Sequence, residues 1–445
     1  MLKSSHYNIE ITKDNNNESV IFNSFTGAMA IIDSKTYEYI NNNDFIDISD
    51  VPEEIKDNII LMETHGYLVD KDIDEKERLN ILSNIARFGQ KTLVLTIAPT
   101  MDCNMSCPYC YEDHQQSKMS QKTALKLVEF TKKHLITNRF NSLYIGWYGG
   151  EPLLEIKTIS KISRKLIEFC NDNNIRFNSS IITNGLLLTK DIAKLLKNDC
   201  KIGACQITVD GPKDINNKRR ISKDGKDSFT QIINNIDDCK EDMFISIRVN
   251  VDRYNNESMY ELIDFFKSKN DWNERVNYYF APVENLTEAC TYNKKSCFSH
   301  SEFADINANL LRYQYSLSKN MEIPRPKPKH LPCEHISPNV FVVDPKGYLY
   351  KCWNNVGIVS LNVGHVDSGP IFNKEHMKWL SYKIPNECEE CNKRPLCQGG
   401  CPYAVMQNDC KLECHHFSMG FETNLELLKD QFLTNELRNH EKEVK

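Results

Sequence analysis

Three cysteines at positions 103, 107 and 110, in the stretch CNMSCPYC, are the residues of this chain most clearly spaced for chemistry. Their C-x3-C-x2-C pattern offers three thiolates from one short loop, whereas a protein-bound metal centre usually takes four ligands. Two answers for the fourth position are open. A structural zinc would complete its tetrahedron with Glu112 or His114. A [4Fe–4S] cluster held by three cysteines would instead leave its fourth iron open to a substrate or cofactor. The spacing is tighter than that of paired zinc knuckles, and the loop falls at the functional end of a predicted sheet.

The chain holds seventeen cysteines in 445 residues, an odd number that cannot pair completely. Cys170, Cys200, Cys205, Cys239 and Cys290 stand alone in apolar or helical surroundings and read as small buried hydrophobes. The rest gather around the triplet and in a later group, with Cys297 a doubtful member. In the later group Cys333 is followed by Gly347 and Cys352, and CEECNKRPLCQGGC then gives C-x2-C-x5-C-x3-C from Cys388 to Cys401. Cys410 and Cys414 follow. Taken alone, this array reads as a zinc ribbon.

Six short apolar runs would position the triplet: 92–98, 142–148, 179–183, 204–209, 244–251 and 276–281. Helical patterns separate them, one with Ser120 as its N-cap, and the alternation predicts a parallel sheet. In such sheets functional loops follow the carboxyl ends of the strands. The triplet follows the first run, GGEP (149–152) the second, TNG (183–185) the third and DGP (210–212) the fourth. Four motif-like loops on one end of one sheet predict one site. Before it, YNIEI and ESVIFNSFTGAMAIID predict strands turning at Thr26 and Gly27. Two helices follow, one with Ser34 as its expected N-cap, and the whole suits a winged-helix-like module.

The triplet with Tyr109 in its aromatic slot, followed by YGGEP, resembles the cofactor loops of radical S-adenosylmethionine enzymes, and the six β/α runs resemble their partial barrel. The resemblance covers roughly residues 90 to 285. It implies that Cys103, Cys107 and Cys110 hold a [4Fe–4S] cluster whose open iron is chelated by the methionine end of S-adenosylmethionine. One electron would then cleave the cofactor to a 5′-deoxyadenosyl radical that takes a hydrogen atom from substrate. Glu151 would offer a carboxylate to the cofactor's ammonium, Gly149 and Gly150 a close backbone approach, Asn184 a bond to the ribose, and Arg248 a partner for the carboxylate. A structural ion pair between Arg248 and Asp210 is the alternative for both residues. The later cysteines match the spacing of the SPASM extension of this family. That resemblance implies two auxiliary [4Fe–4S] clusters, one on Cys333, Cys352 and Cys401, the other on Cys388, Cys391, Cys397 and Cys414, with Cys410 an alternative last ligand. No fourth cysteine stands close before Cys333, so the first auxiliary cluster has an open iron unless Cys290, Cys297 or Cys410 reaches it.

The expected fold is α/β: a partial (β/α)6 TIM-like barrel over 90–320, a winged-helix-like leader-recognition module over 1–75, a SPASM domain over 325–425 and a C-terminal helix and tail over 426–445. The extension occurs in peptide and protein modifiers. Its sulfatase-maturating branch starts close to the barrel and carries an aspartate after the extension's second cysteine, where this chain has Trp353. The expected activity is therefore oxidative maturation of a precursor peptide with a leader sequence, by thioether crosslinking, with carbon–carbon crosslinking or formylglycine formation as alternatives. A non-catalytic iron–sulfur electron carrier or binding protein is the competing class. A flavodoxin or ferredoxin-like protein is the expected electron donor. A net charge of −6 without a basic block argues against a nucleic-acid partner. No run nears the roughly 20 apolar residues that span a bilayer, and the N-terminus lacks a signal-peptide core. A cytoplasmic location is expected.

Overall fold

The computed structural model describes residues 1–13, 19–110, 112, 117–284, 294–317, 323, 325–407, 414–415 and 419–443. The chain divides into two compact units. One comprises Met1–Gly89, Ser299–Cys333 and Lys383–Lys445, the other Gln90–Phe298 and Glu334–Tyr382.

In the first unit, β1 (Leu2–Ser4) pairs antiparallel with β5 (Leu68–Asp70), and β2 (Asn8–Lys13), β3 (Ser19–Asn23) and β4 (Met29–Ile32) form a meander. Helices α1 (Ser34–Asn42) and α2 (Lys56–Thr64) lie between β4 and β5, and α3 (Glu75–Phe88) follows. Asp33, rather than the expected Ser34, caps α1: its carboxylate accepts from the Thr36 N–H, and Ser34 is already the first helical residue. Leu2, Ile46, Ile55, Ile59 and Tyr67 build one small core. A second joins Val20 and Phe22 to Phe421, Leu425 and Leu428 of the helix Phe421–Glu443.

The second unit carries the six predicted strands: β6 (Thr92–Ile97), β7 (Ser142–Trp147), β8 (Arg176–Thr183), β9 (Ile202–Thr208), β10 (Phe244–Val251) and β11 (Val276–Pro282). They are parallel and adjacent in sequence order. Crossovers of one hand then set the connecting helices on one face, and the other face becomes the inner wall of a partial barrel. Burial follows that division. Ile245, Ile247, Val249 and Val251 of β10 are buried while the alternate residues are partly exposed. The helix Ile156–Asp172 buries Ile159, Ile162, Ser163, Leu166 and Cys170 along one stripe. Cys170, Cys200, Cys205 and Cys239 are buried; Cys290 lies outside the described residues.

A hairpin of β12 (Val340–Val343) and β13 (Tyr348–Tyr350) extends this sheet, with β12 parallel to β6 in the register Val340–Val94 to Val343–Ile97. The segment 325–425, read from sequence as one domain, thus divides between the two units. The cause is backbone pairing: the N–H groups of Val94 and Ala98 donate to the carbonyls of Asn339 and Val343. Among the described residues, no helix is long and apolar enough to cross a membrane.

The hairpin hides a lysine. Lys351 is fully buried, and its Nζ donates to the carbonyls of Ser337 (2.5 Å) and Val340 (2.6 Å). It also lies 4.9 Å from the centroid of the Phe341 ring. Lys351→Met keeps the packing volume but strips two buried carbonyls of a donor. We expect it to destabilise this unit by about 2–4 kcal/mol, seen in calorimetry as an earlier melting transition.

Candidate active site

The triplet loop leaves the carboxyl end of β6 and is held by its backbone. The Met101 N–H donates to the Ser117 carbonyl, Ser106 N–H to Ile221, and Lys223 N–H to Asn104. Within the loop, the Met105 N–H points at Cys103 Sγ (3.4 Å), an arrangement that favours a thiolate. Burial nevertheless pushes the Cys103 thiol up to about 11 and the Cys110 thiol up to about 12, and raises Cys107 as well. Three thiols so placed shed their protons only to a strong cation. His114 lies outside the described residues. Burial pushes the Glu112 carboxyl up to about 8, which favours its neutral form at neutral pH. Among the described residues no three His, Cys, Asp or Glu side chains come close enough to share one metal ion.

The GGEP loop at the end of β7 is shaped by the triplet loop. A Cβ on Gly150 would stand 2.3 Å from the Asp102 carbonyl oxygen and 2.6 Å from that of Met101. A Cβ on Gly149, whose φ is +121°, would meet the Thr100 oxygen at 2.3 Å. The two loops therefore touch backbone to backbone, which only glycine permits. Glu151 is fully buried, and its side chain serves the chain's own donors. Oε1 accepts from Leu153 N–H (2.9 Å) and Thr183 Oγ1 (2.8 Å), Oε2 from Asn184 N–H (2.7 Å). Burial raises its pKa, against the pull of those three hydrogen bonds. The carboxylate expected to face a cofactor ammonium thus ties the end of β7 to the end of β8. The Asn184 amide, expected at a ribose, donates to Asn104 Oδ1 (2.6 Å) and lies 3.7 Å from Cys103 Sγ. Both residues hold the triplet loop in place.

Tyr109 reaches the end of β9. Its hydroxyl donates to Asp210 Oδ2 and accepts from Arg220 Nη1 (2.9 Å), and the Arg219 guanidinium lies 4.9 Å from its ring centroid. Arg219 forks onto Asp252 at 2.9 and 2.8 Å. Arg220 is nearly fully buried, acts on the Cys107 thiol, and has an Nε with no hydrogen-bond partner among the described residues. Burial opposes its charge, but Tyr109, Cys107 and Asp210 outweigh that and hold its pKa up. Sequence reasoning passed over Arg219 and Arg220. The available signal was the adjacent pair shortly after DGP, too short and polar a stretch to read as a barrel strand. Arg248, by contrast, donates from Nε to Asn250 Oδ1 (2.8 Å), and Asp210 is not its partner.

The later cysteines fall mostly in the other unit. There Cys388 is pushed up to about 12 by burial and then by the nearby Cys397, Cys391 and Cys414. Gln398, Gly399 and Gly400 are successively left-handed, with φ of 52°, 83° and 81°, and turn the chain between Cys397 and Cys401. Cys333 and Cys401 belong to this unit and Cys352 to the barrel unit; Cys410 lies outside the described residues.

Residues 97–266, from the end of β6 through the helix before β11, match the family model of the Radical SAM superfamily. The chain carries a radical SAM domain over these residues. Its family binds S-adenosylmethionine and a [4Fe–4S] cluster. It is 26% identical over 306 residues to the radical SAM cyclopropyl synthase TigE of Paramaledivibacter caminithermalis, a match spanning 60% of this chain and 61% of that enzyme. It is 25% identical over 386 residues to a cysteine-type anaerobic sulfatase-maturating enzyme of Clostridium novyi, covering 79% of this chain and all of the other. Among solved structures, Streptococcus suis SuiB bound to precursor peptide SuiA superposes with a TM-score of 0.51 at 15% identity, over 92% of this chain and 97% of that one. That likeness concerns the fold.

The donor set suits the family's cofactors: three thiols on one loop, a two-glycine contact beneath it, and a buried guanidinium with an unmet N–H beside Cys107. Gly150→Ala should separate the two loops and leave a folded radical SAM protein with a sharply lower iron content after reconstitution. Tyr109→Phe keeps the ring but removes a buried hydroxyl shared by Asp210 and Arg220. We expect it to cost about 1–3 kcal/mol of stability with a smaller loss of iron.

Proposed function

We propose that this radical SAM enzyme oxidatively modifies a ribosomally made precursor peptide, joining a cysteine sulfur to a carbon of the same peptide. The observation that carries the reading is the join of a GGEP-supported cysteine triplet to a separate N-terminal module with an open strand edge. In that module the Asn23 N–H donates to the Ala28 carbonyl, and antiparallel pairs alternate between bonded and unbonded. The backbone groups of Met29 and Ile31 therefore face away from β3, and among the described residues no further strand pairs with β4. Beside that edge is a groove of about 430 Å³, lined by Ile32, Leu61, Met62, Tyr67 and Arg325 among others. An extended leader peptide would add a strand there.

In the barrel unit, Cys103, Cys107 and Cys110 would hold the cluster. Arg220 would take the cofactor's carboxylate, since its guanidinium stands beside Cys107 and Tyr109 with an unmet donor. Bound together, cluster and S-adenosylmethionine supply the one-electron chemistry that removes a hydrogen atom from the peptide. Glu151 and Asn184 fix the loop ends, and Tyr109 and Asp210 keep the Arg220 guanidinium in place. In the other unit, Cys388, Cys391, Cys397 and Cys414 would hold an auxiliary [4Fe–4S] cluster. A flavodoxin or ferredoxin-like donor would supply the electrons.

Sulfatase maturation is a second reading, favoured by the match across the whole Clostridium novyi enzyme. Trp353 in place of an aspartate and the 89-residue N-terminal segment weigh against it.

The test is anaerobic reconstitution with dithionite, S-adenosylmethionine and a cysteine-containing small peptide encoded beside the enzyme. Loss of two hydrogens from the peptide with release of 5′-deoxyadenosine is expected. An oxidised sulfatase peptide instead would select the second reading. No cofactor cleavage by fully metallated protein would end both. The triple variant Cys103→Ala, Cys107→Ala, Cys110→Ala should release no 5′-deoxyadenosine and lose about four irons per chain.

A further inference from the structure

The inner wall of the partial barrel has a chemistry of its own. Side chains on adjacent parallel strands at one register level share a face, so the inward rows can be read across the sheet. One row runs Gln206, Ser246, Asn277, and the next runs Thr208, Arg248, Tyr279. The wall is polar and uncharged over most of its height. Tyr144 and Ser180 share a hydrogen bond of 2.6 Å, and the Tyr279 hydroxyl donates to Gln206 Oε1 (2.8 Å).

Against that neutral background, Arg248 is the one charged side chain on the inward face in the carboxyl-terminal half of the six strands. It is half-buried, and among the described residues no carboxylate pairs with it. The acidic residues just past the ends of β9 and β10, Asp210 and Asp252, are taken up by Arg219, Arg220 and Tyr109. Asn250 accepts from Nε alone, so the two Nη groups retain a fork suited to two oxygens. Tyr148, at the end of β7, marks the other side of the site. Burial pushes its phenol far up, Cys110 adds to this and Arg248 pulls it back, so the guanidinium acts toward the triplet end of the wall. Trp353 packs against Tyr148 with ring centroids 5.0 Å apart, so the neighbour there is aromatic, not anionic.

We propose that Arg248 is a receptor for a substrate carboxylate, presented by an acidic side chain or by a chain terminus and seated between Thr208 and Tyr279 on the inner wall. This rests on the peptide-modifying reading and adds to it a preference for acid next to the reacting residue. The two buried-site arginines then have separate duties: Arg220 stands by the cysteine loop, and Arg248 by the substrate. A guanidinium without an internal counter-ion, in a half-buried neutral wall, binds a carboxylate more strongly than it would in water.

The test uses anaerobically purified full-length enzyme, saturated with S-adenosylmethionine, and isothermal titration calorimetry with four acetylated nonapeptides. These differ only in Glu or Gln at the centre and in a carboxylate or carboxamide at the C-terminus. The wild type should bind one acidic form about tenfold more tightly than its neutral counterpart, and which form wins identifies side chain or terminus. Arg248→Gln should erase that preference, and Arg248→Lys, which retains charge without the fork, should keep part of it. The affinity of Arg248→Gln for S-adenosylmethionine should stay within about twofold of wild type. Equal binding of all four peptides by the wild type overturns the inference while leaving the peptide reading intact. Loss of S-adenosylmethionine affinity in both variants overturns it by returning Arg248 to the cofactor. Failure of the wild type to bind any of the peptides sinks this inference and the peptide reading together.

Discussion

One buried carboxylate organises the barrel end of this molecule. Asp210 is fully buried and touches four segments at once. Oδ2 takes the Tyr109 hydroxyl, and Oδ1 takes the Asn250 N–H. Its backbone N–H and carbonyl meet the side chains of Asn216 and Asn255. A buried charge is tolerable only when it is paired and hydrogen-bonded, and here Arg219 and Arg220 supply the opposite charge. The arrangement is cooperative: removing any one partner leaves the others buried and incomplete. Cysteine spacing makes metal binding possible, but this network holds the loop still enough for it.

The legible parts of the sequence were those whose signal is local. Strand β10 was readable to the residue, because FISIRVNV alternates buried and half-exposed positions and is bounded by polar turns. The carboxyl-end loops were readable because parallel strands put successive loops at one edge. Ser120 was readable as a cap, and its hydroxyl accepts from the Thr123 N–H. Asp33 was missed in favour of Ser34 because both residue types cap helices and they are adjacent.

What escaped the sequence depends on distance along the chain. Tyr109 and Arg220 are 111 residues apart and meet through one hydrogen bond; nothing in either neighbourhood announces it. The pairing of β12 with β6 joins residues about 250 positions apart, and a hairpin of four apolar residues carries no mark of which sheet it will extend. Glu151 illustrates a subtler difficulty. Residue type and motif point to a charged contact with a ligand, whereas the side chain turned inward to bridge two strand ends. The motif names the carboxylate, and its partners here are the Leu153 and Asn184 N–H groups and the Thr183 hydroxyl. Gly149 and Gly150 are where motif and packing agree, since the same close approach that a ligand would require is already made by the neighbouring loop.

The brevity of β4 has a further consequence. An exposed sheet edge is a hazard, because any extended chain can zip onto it and grow into an aggregate. Here the edge offers outward backbone groups from only two residues, Met29 and Ile31, over a strand of four. So short a template gives a stray strand too few hydrogen bonds to offset the entropy of ordering it. Only a chain that also fills the groove beside the edge gains enough to remain. Solubility of the empty module and selectivity of the occupied one would then come from the same economy of length.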